Sequence, residues 1–564
     1  MSPRPDLAFR PATVAEAWLG LLAARGIEYL FVNSGTDFAP LAEAYAKGRA
    51  LGWKMPTPVA VPHENAGVAM AHGYTMVTGR AQAVMVHVGM GTANAINGLY
   101  NAFRQRIPML FTAGRTPVLE AGGVLGSRNN YINWAQEMYD QAGMVREVVK
   151  WDYELRHPLQ VESVLERALA IATSAPQGPV YLTLPREVLA AELDGTGVSL
   201  GAIAVPAPRA PEAGAAAQVA RWLADAEHPL IITANCGRTA AEARALRQLA
   251  QRLSIPVVQY RPRHLALGTR HRLAAGWDPH PLLKEADCVL VVDCDVPWIP
   301  ALGGPLAAAR VAQLGPDPLW SDYPIRGFRS DLTLDCDTRL GLEAIDREVE
   351  KLGTVLIYDA APAPAWPKPP VAGKTITARY LSACLSDLLD GGMLVVNEYP
   401  LTLEDMVLEP GQYFSHPPSG GLGWGLGAAL GAQLAAPDKT VICAVGDGAY
   451  MFGNPTPAHW IAQTQGLPVL FVVFNNARWG AVHRATLSLY PDGYAAKAAE
   501  PPFTRLDPAP QFERICEACG GWGEHVTSPA EVIPALKRAL EVVRGEKRQA
   551  LLNIEVEPST ARSS

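Results

Sequence analysis

TVICAVGDGAYMF (Thr440–Phe452) and LPVLFVVFNN (Leu467–Asn476) are two apolar runs that each stop on oxygen-bearing side chains. An apolar run of this length, bounded by turn residues, reads as a strand buried on both faces. The first run ends at Gly446-Asp447-Gly448 and the second at Asn475-Asn476, with 26 residues from 449 to 474 between Gly448 and Asn475. That interval accommodates one crossover helix, so the two strands are expected to be parallel. Parallel neighbours deliver their last residues to the same sheet edge. Asp447 and Asn476 should therefore lie side by side there. Gly-Asp-Gly alone is also an ordinary strand-to-turn signal; the Asn pair after a second strand sets this one apart.

The same grammar runs outward in both directions. Tyr29–Val32, Val59–Val61 and Ala83–Val88 read as strands leading toward helices. PLIITANCGRTAAEARALRQLAQRL reads as strand, turn and amphipathic helix, followed by strands in SIPVVQY and CVLVVDC. ALLNIEV is a further strand near the C-terminus. Apolar strands separated by helices imply parallel sheets covered on both faces. Two proline-rich stretches, Val205–Glu212 and Ala361–Pro370, read as extended spacers. They divide the chain into three α/β, doubly wound parallel-sheet domains, expected at 8–190, 213–352 and 374–560. Ligands should bind at the carboxyl ends of their strands.

Composition narrows the function. The chain has 564 residues, 49% of them hydrophobic and 18% charged, which fits large buried cores. A net charge of −7 gives no basic footprint for nucleic acid. The first residues carry no apolar secretory core, and no apolar run approaches a membrane span, so a cytoplasmic location is expected. Of 8 cysteines, only Cys516 and Cys519 form a C-x-x-C pair; no second pair completes a zinc site, and they read as the end of the helix in PAPQFERICEAC. His63-Glu64 lacks the H-E-x-x-H spacing of a zinc protease, because Gly67 stands at the second histidine position. A dinucleotide dehydrogenase is disfavoured because no strand leads into G-x-G-x-x-G.

The paired edge has its own chemistry. Mg²⁺ takes oxygen ligands and is commonly shared between a few protein oxygens and phosphates. Asp447 offers a charged oxygen and Asn476 a neutral one, while Gly446 and Gly448 allow backbone N–H groups to approach a phosphate.

GDG followed by NN in this spacing resembles the signature of thiamine-diphosphate enzymes of the pyruvate decarboxylase, acetolactate synthase and benzoylformate decarboxylase superfamily. The resemblance covers nearly the whole chain. It implies pyrimidine-binding, central and diphosphate-binding domains in that order. It also implies Mg²⁺ held by Asp447, Asn476 and the carbonyl of Arg478, with Gly446, Gly448 and Ala449 beside the cofactor. In the first domain, HENAGVAMAHGY resembles the family's glutamate-bearing helix start. Glu64 alone would read as a favourable helix-dipole contact. The resemblance makes it the carboxylate on the aminopyrimidine that activates the cofactor. In SGGLGWG, Gly420 matches the position that receives the aminopyrimidine and Leu422 the residue that bends the cofactor. Asn397 and Glu398 fall where the family contacts the diphosphate.

MVHVGMGTANAINGLYNAFRQRIPMLFTAG and VVKWDYEL resemble benzoylformate decarboxylase and, more loosely, acetolactate synthase. His87 falls on an active-site histidine of the decarboxylase, and Thr36 on its serine. A histidine titrating near neutrality suits proton transfer, although one at a strand end can equally make a single structural hydrogen bond. The decarboxylase's second histidine is missing: the loop DCDVPWIPALGG carries Trp298 instead. Ala481 and Val482 match small pocket positions, His483 lies beside them, and Ala485 replaces a bulky aromatic. The absence of an Arg-Phe-Asp-Asp run argues against FAD.

The expected activity is that of a thiamine-diphosphate- and Mg²⁺-dependent lyase or carboligase. It would decarboxylate a 2-oxo acid to an enamine, then protonate it or join it to an acceptor aldehyde or ketone. The alternatives are a 2-hydroxyacyl-CoA lyase or oxalyl-CoA decarboxylase type of enzyme, and a non-catalytic cofactor-binding paralogue. The resemblance further implies a homodimer or homotetramer with active sites between subunits, and no nucleic-acid or membrane partner.

Overall fold

Every apolar run quoted above becomes a strand in the computed structural model, which describes residues 10–193, 203–353, 370–498 and 500–558. The first unit holds β1 (Tyr29–Val32), β2 (Thr57–Ala60), β3 (Gln82–Val86), β4 (Met109–Arg115), β5 (Asp152–Glu154) and β6 (Pro179–Pro185). The central unit holds β7 (Pro229–Thr233), β8 (Val257–Gln259), β9 (Cys288–Val292), β10 (Arg310–Gly315) and β11 (Leu332–Asp335). The third holds β12 (Met393–Glu398), β13 (Tyr413–Ser415), β14 (Thr440–Gly446), β15 (Val469–Asn475), β16 (Trp522–Val526) and β17 (Ala550–Glu555).

All three sheets are parallel, with orders β2-β1-β3-β4-β6-β5, β11-β10-β9-β7-β8 and β13-β12-β14-β15-β17-β16. The first and third orders are the same once renumbered from their first strand. Strands β14 and β15 are adjacent, with Gly446 opposite Phe474. Their side chains from Val441 to Val445 and from Val469 to Phe474 are buried throughout. Each such valine, leucine or phenylalanine contributes about 1.5–3 kcal/mol by leaving water. A charge at Val472 would break this core.

Two boundaries differ from the sequence reading. The third strand stops at Val86 because His87 caps a helix that begins at Val88. The crossover from β14 to β15 is two helices, Asp447–Phe452 and Pro455–Gln465. Asn454 takes a left-handed backbone and Pro455 restarts the helix from its first turn. Val205–Glu212 carries no helix or strand, and Glu212 caps the helix Ala213–Asp225 through the N–H groups of Gly214 and Ala215. Ala361–Pro369 of the second spacer lie outside the described residues. Cys516 and Cys519 are buried free thiols at the end of the helix Phe512–Ala518.

The first and third units meet through the helices Glu64–Thr78 and Trp424–Ala435, each the connection from the second to the third strand of its unit. Glycines bring the two backbones together. A Cβ on Gly73 would lie 2.0 Å from the carbonyl oxygen of Ala428, and one on Gly431 1.9 Å from that of Met70. No helix among the described residues is long and apolar enough to cross a membrane.

Candidate active site

Asp447 begins the short helix after β14, with 3% of its surface exposed. Its Oδ1 accepts the N–H of Gly448 at 2.9 Å. Its Oδ2 is buried and has no hydrogen-bond partner. Burial pushes the carboxyl up to about 6, opposed by the backbone N–H groups of Gly448, Ala477 and Arg478. The last two follow Asn476, so the ends of β14 and β15 meet as expected. Asn476 accepts the N–H of Arg478 at 2.9 Å, while Asn475 turns inward to Asn553 at 3.0 Å. Ala477 bends the chain away with φ +52°. A buried acceptor left unpaired is costly, about 1–3 kcal/mol and more when charged. Asp447 therefore fits a cation ligand. Among the described residues no cluster of three His, Cys, Asp or Glu could hold a metal alone. A cation here would need amide, carbonyl or phosphate oxygens as well, which is how Mg²⁺ is usually held. Gly446 faces open space, Gly448 lies under the Trp479 ring, and Ala449 is buried.

The loop before the helix Trp424–Ala435 is fixed from both units. Asn101 accepts from the Ser419 hydroxyl at 2.7 Å and donates to the Gly421 carbonyl at 2.8 Å. Asn97 donates to the Leu422 carbonyl at 3.1 Å. Gly420 has φ +68°, and a Cβ there would lie 2.7 Å from the Tyr399 hydroxyl oxygen. Tyr399 itself has φ +80° and stacks on His416, with ring centres 3.7 Å apart. Such backbone in a bulky residue persists only where its surroundings enforce it.

Glu398 and Asn397, the two residues expected at the diphosphate, both make hydrogen bonds within the protein. Glu398 accepts the N–H groups of Gly423 at 2.7 Å and Gly425 at 2.6 Å. It caps the helix, and burial raises its carboxyl to about 7. Asn397 donates to the Tyr413 hydroxyl at 2.9 Å and accepts from the Leu401 N–H at 3.2 Å. Both oxygens of Glu398 are already committed to backbone donors.

At the first sheet, Glu64 opens its helix and accepts from the Asn94 side chain. His87 follows β3, with Nδ1 2.5 Å from Asp37 Oδ1 and Nε2 3.1 Å from the Gln136 amide nitrogen. The hydrogen bond to Asp37 raises the His87 pKa; its charge and that of Glu64 add to this against partial burial. Thr36, Asp37, His87, Arg115, Gln136 and Arg186 are among the residues lining a narrow cavity of about 10 Å³. This is room for about one water. Sequence reasoning stopped at the hydroxyl of Thr36 and passed over Asp37, an acid at the end of a buried strand opposite a histidine.

Among the described residues, no hydrogen bond or ion pair joins the Glu64–His87 edge to the Asp447–Asn476 edge. The helix Gly480–Leu489, which carries Ala481, Val482 and His483, has no buried residue. Trp298, expected in the substrate pocket, sits in the central unit. It is 4% exposed and packs edge-on against Phe328 at 5.3 Å in the central core, because its apolar ring finds its burial there.

Three parallel sheets, with an unsatisfied carboxylate at one strand edge and a helix-start glutamate at another, define a cofactor-using α/β enzyme. The family models described as the N-terminal and C-terminal TPP binding domains of thiamine pyrophosphate enzymes match residues 12–144 and 401–554. The chain belongs to this family and is a thiamine-diphosphate-dependent enzyme. It is 28% identical to a sulfoacetaldehyde acetyltransferase of Rhodobacter capsulatus, covering 96% of this chain and 95% of that one. It is 28% identical to a benzoylformate decarboxylase of Pseudomonas aeruginosa, covering 94% and 97%. A thiamine diphosphate-dependent 4-hydroxybenzoylformate decarboxylase of Rhodococcus jostii shares the fold, with a TM-score of 0.80 at 24% identity over 98% of this chain and 100% of that one.

Proposed function

We propose that this enzyme is a lyase or carboligase that decarboxylates a 2-oxo acid and passes the remaining fragment to a proton or to an acceptor carbonyl. The observation that carries the reading is the buried, unpartnered Oδ2 of Asp447 beside Asn476. Mg²⁺ bound by Asp447, Asn476 and the Arg478 carbonyl would anchor the diphosphate, with Gly446, Gly448 and Ala449 close by. Thiamine diphosphate supplies a nucleophilic carbon and an electron sink. Glu64 would hydrogen-bond to the aminopyrimidine and favour its proton-accepting form, and Gly420 and Leu422 would seat the cofactor. His87 moves protons at the substrate oxygen beside Thr36. The names of the two curated relatives, an acetyltransferase and a decarboxylase, support the two fates of the fragment.

The site is completed by a second copy of the chain, in a homodimer or a tetramer. The helix Gly480–Leu489 supports this: Val482 and Leu489 are exposed there, and Ala481 and His483 would line the substrate pocket once it is covered. The presence of three separate sheets supports a reading with domains at 8–190, 213–352 and 374–560. The cytoplasmic reading is supported by eight buried free thiols. The test is a screen of aliphatic, aromatic, sulfonated and CoA-linked 2-oxo acids with Mg²⁺ and cofactor, following CO₂ and ligation products. Turnover of a 2-oxo acid supports the reading; turnover of CoA esters alone replaces it with an acyl-CoA lyase.

A further inference from the structure

Asp37 is 4% exposed, on the turn Thr36–Phe38 that follows β1, and faces the residue that follows β3. Its Oδ1 lies 2.5 Å from Nδ1 of His87, and its Oδ2 is 3.4 Å from the Val88 N–H. Two glycines make room for this pair. A Cβ on Gly114 would sit 1.6 Å from Asp37 Oδ2, and one on Gly35 would sit 2.1 Å from His87 Nδ1. Neither the acid nor the ring can occupy this position if either glycine gains a methyl group.

We propose that Asp37 is a positioning residue for the reaction: it holds His87 as the Nδ1–H tautomer and turns the lone pair of Nε2 into the cavity beside Thr36. This rests on the reading of His87 as the proton-transfer residue. A buried carboxylate hydrogen-bonded to one ring nitrogen fixes the proton there and leaves the other nitrogen as the acceptor. The far side of the ring agrees. The Gln136 amide N–H donates to Nε2 at 3.1 Å, from a half-buried position on the cavity wall, and occupies the place a substrate hydroxyl would take. Other charges near the ring are Glu64 on its helix, Arg115 at the end of β4 and Arg186 after β6. Arg115 is paired with Glu137 and Glu154, and Arg186 is bound to the carbonyls of Gly126 and Ser127. Of the carboxylates among the described residues, Asp37 alone is hydrogen-bonded to the ring. The pair works as an orienting acid behind a base, with the proton moving at Nε2.

The first measurement is on the holoenzyme, with ¹⁵N-labelled histidine. The His87 signals are assigned by their loss in His87→Gln, because the chain has 12 histidines. The deprotonated ring should be the Nδ1–H tautomer. In Asp37→Asn its pKa should fall by about one unit or more, the acid limb of the kcat–pH profile should follow, and kcat should drop about tenfold or more with KM little changed. Adding Asp37→Asn to His87→Gln should cost nothing further, because Asp37 acts only through that ring. An Nε2–H tautomer in the wild-type protein overturns the proposal even if Asp37→Asn does not fold. So does an additive loss in the double variant. If no 2-oxo acid is turned over, the functional reading fails by itself, while the tautomer and pKa still test the pair.

Discussion

The first and third sheets share one strand order, and both place a carboxylate beside the switch point, where the connections from two neighbouring parallel strands lead to opposite sides of the sheet. Asp37 lies there in the first and Asp447 in the third. Asp37 is satisfied inside the protein by His87. Asp447 keeps one buried oxygen with no partner. The same architecture thus carries two different settings: a hydrogen-bonded aspartate–histidine pair on one sheet and a buried, unpartnered carboxylate oxygen on the other. The difference teaches that the fold fixes where ligands can bind, while the residue after the third strand, His87 or Asp447, decides what binds.

The largest test of this contrast lies on the first sheet. Glu64→Gln should lower turnover by about 10²–10⁴-fold while the melting temperature stays the same. Turnover near the wild-type level would remove Glu64 from the chemistry. Next comes the contact that joins the two units. Gly431→Ala puts a methyl group 1.9 Å from the Met70 carbonyl, and should destabilise the protein by about 1–3 kcal/mol in denaturant melts. The smallest effect is a dependence on pH. The folded pKa of His87 is raised above 6.5 by its hydrogen bond to Asp37. The stabilisation from this pair is then complete below about pH 6.5 and fades as pH rises through the folded value. The melting-temperature advantage of wild type over His87→Gln should be largest in acid and shrink in mild alkali. A constant advantage would mean the pair does not titrate.

The sheets and the meeting of the β14 and β15 ends were legible because both are written locally. An apolar run long enough for a buried strand, ending in Gly-Asp-Gly or Asn-Asn, carries its direction and its last residue in one short stretch. Contacts between distant segments are not written that way. Asn97 and Asn101 reach the loop Gly421–Leu422 across more than 300 residues, and no local pattern marks them. Glu398 follows an apolar strand just as Asp447 does. Only the fold reveals that the amides of Gly423 and Gly425 consume its charge. Trp298 carries no local sign of its packing either: only the fold shows its ring set edge-on against Phe328. Asp37 had a signal, an acid at a strand end in a parallel sheet, and was overshadowed by the hydroxyl next to it.

The central claim is that Asp447 binds the cofactor through a divalent cation. Its most direct test is calorimetric titration of thiamine diphosphate into the cofactor-free protein, with Mg²⁺ or with EDTA, in wild type and in Asp447→Asn. The account predicts tight binding only for wild type with Mg²⁺, weakened at least about tenfold by the substitution or by the chelator. Equal affinity in all four titrations would contradict it.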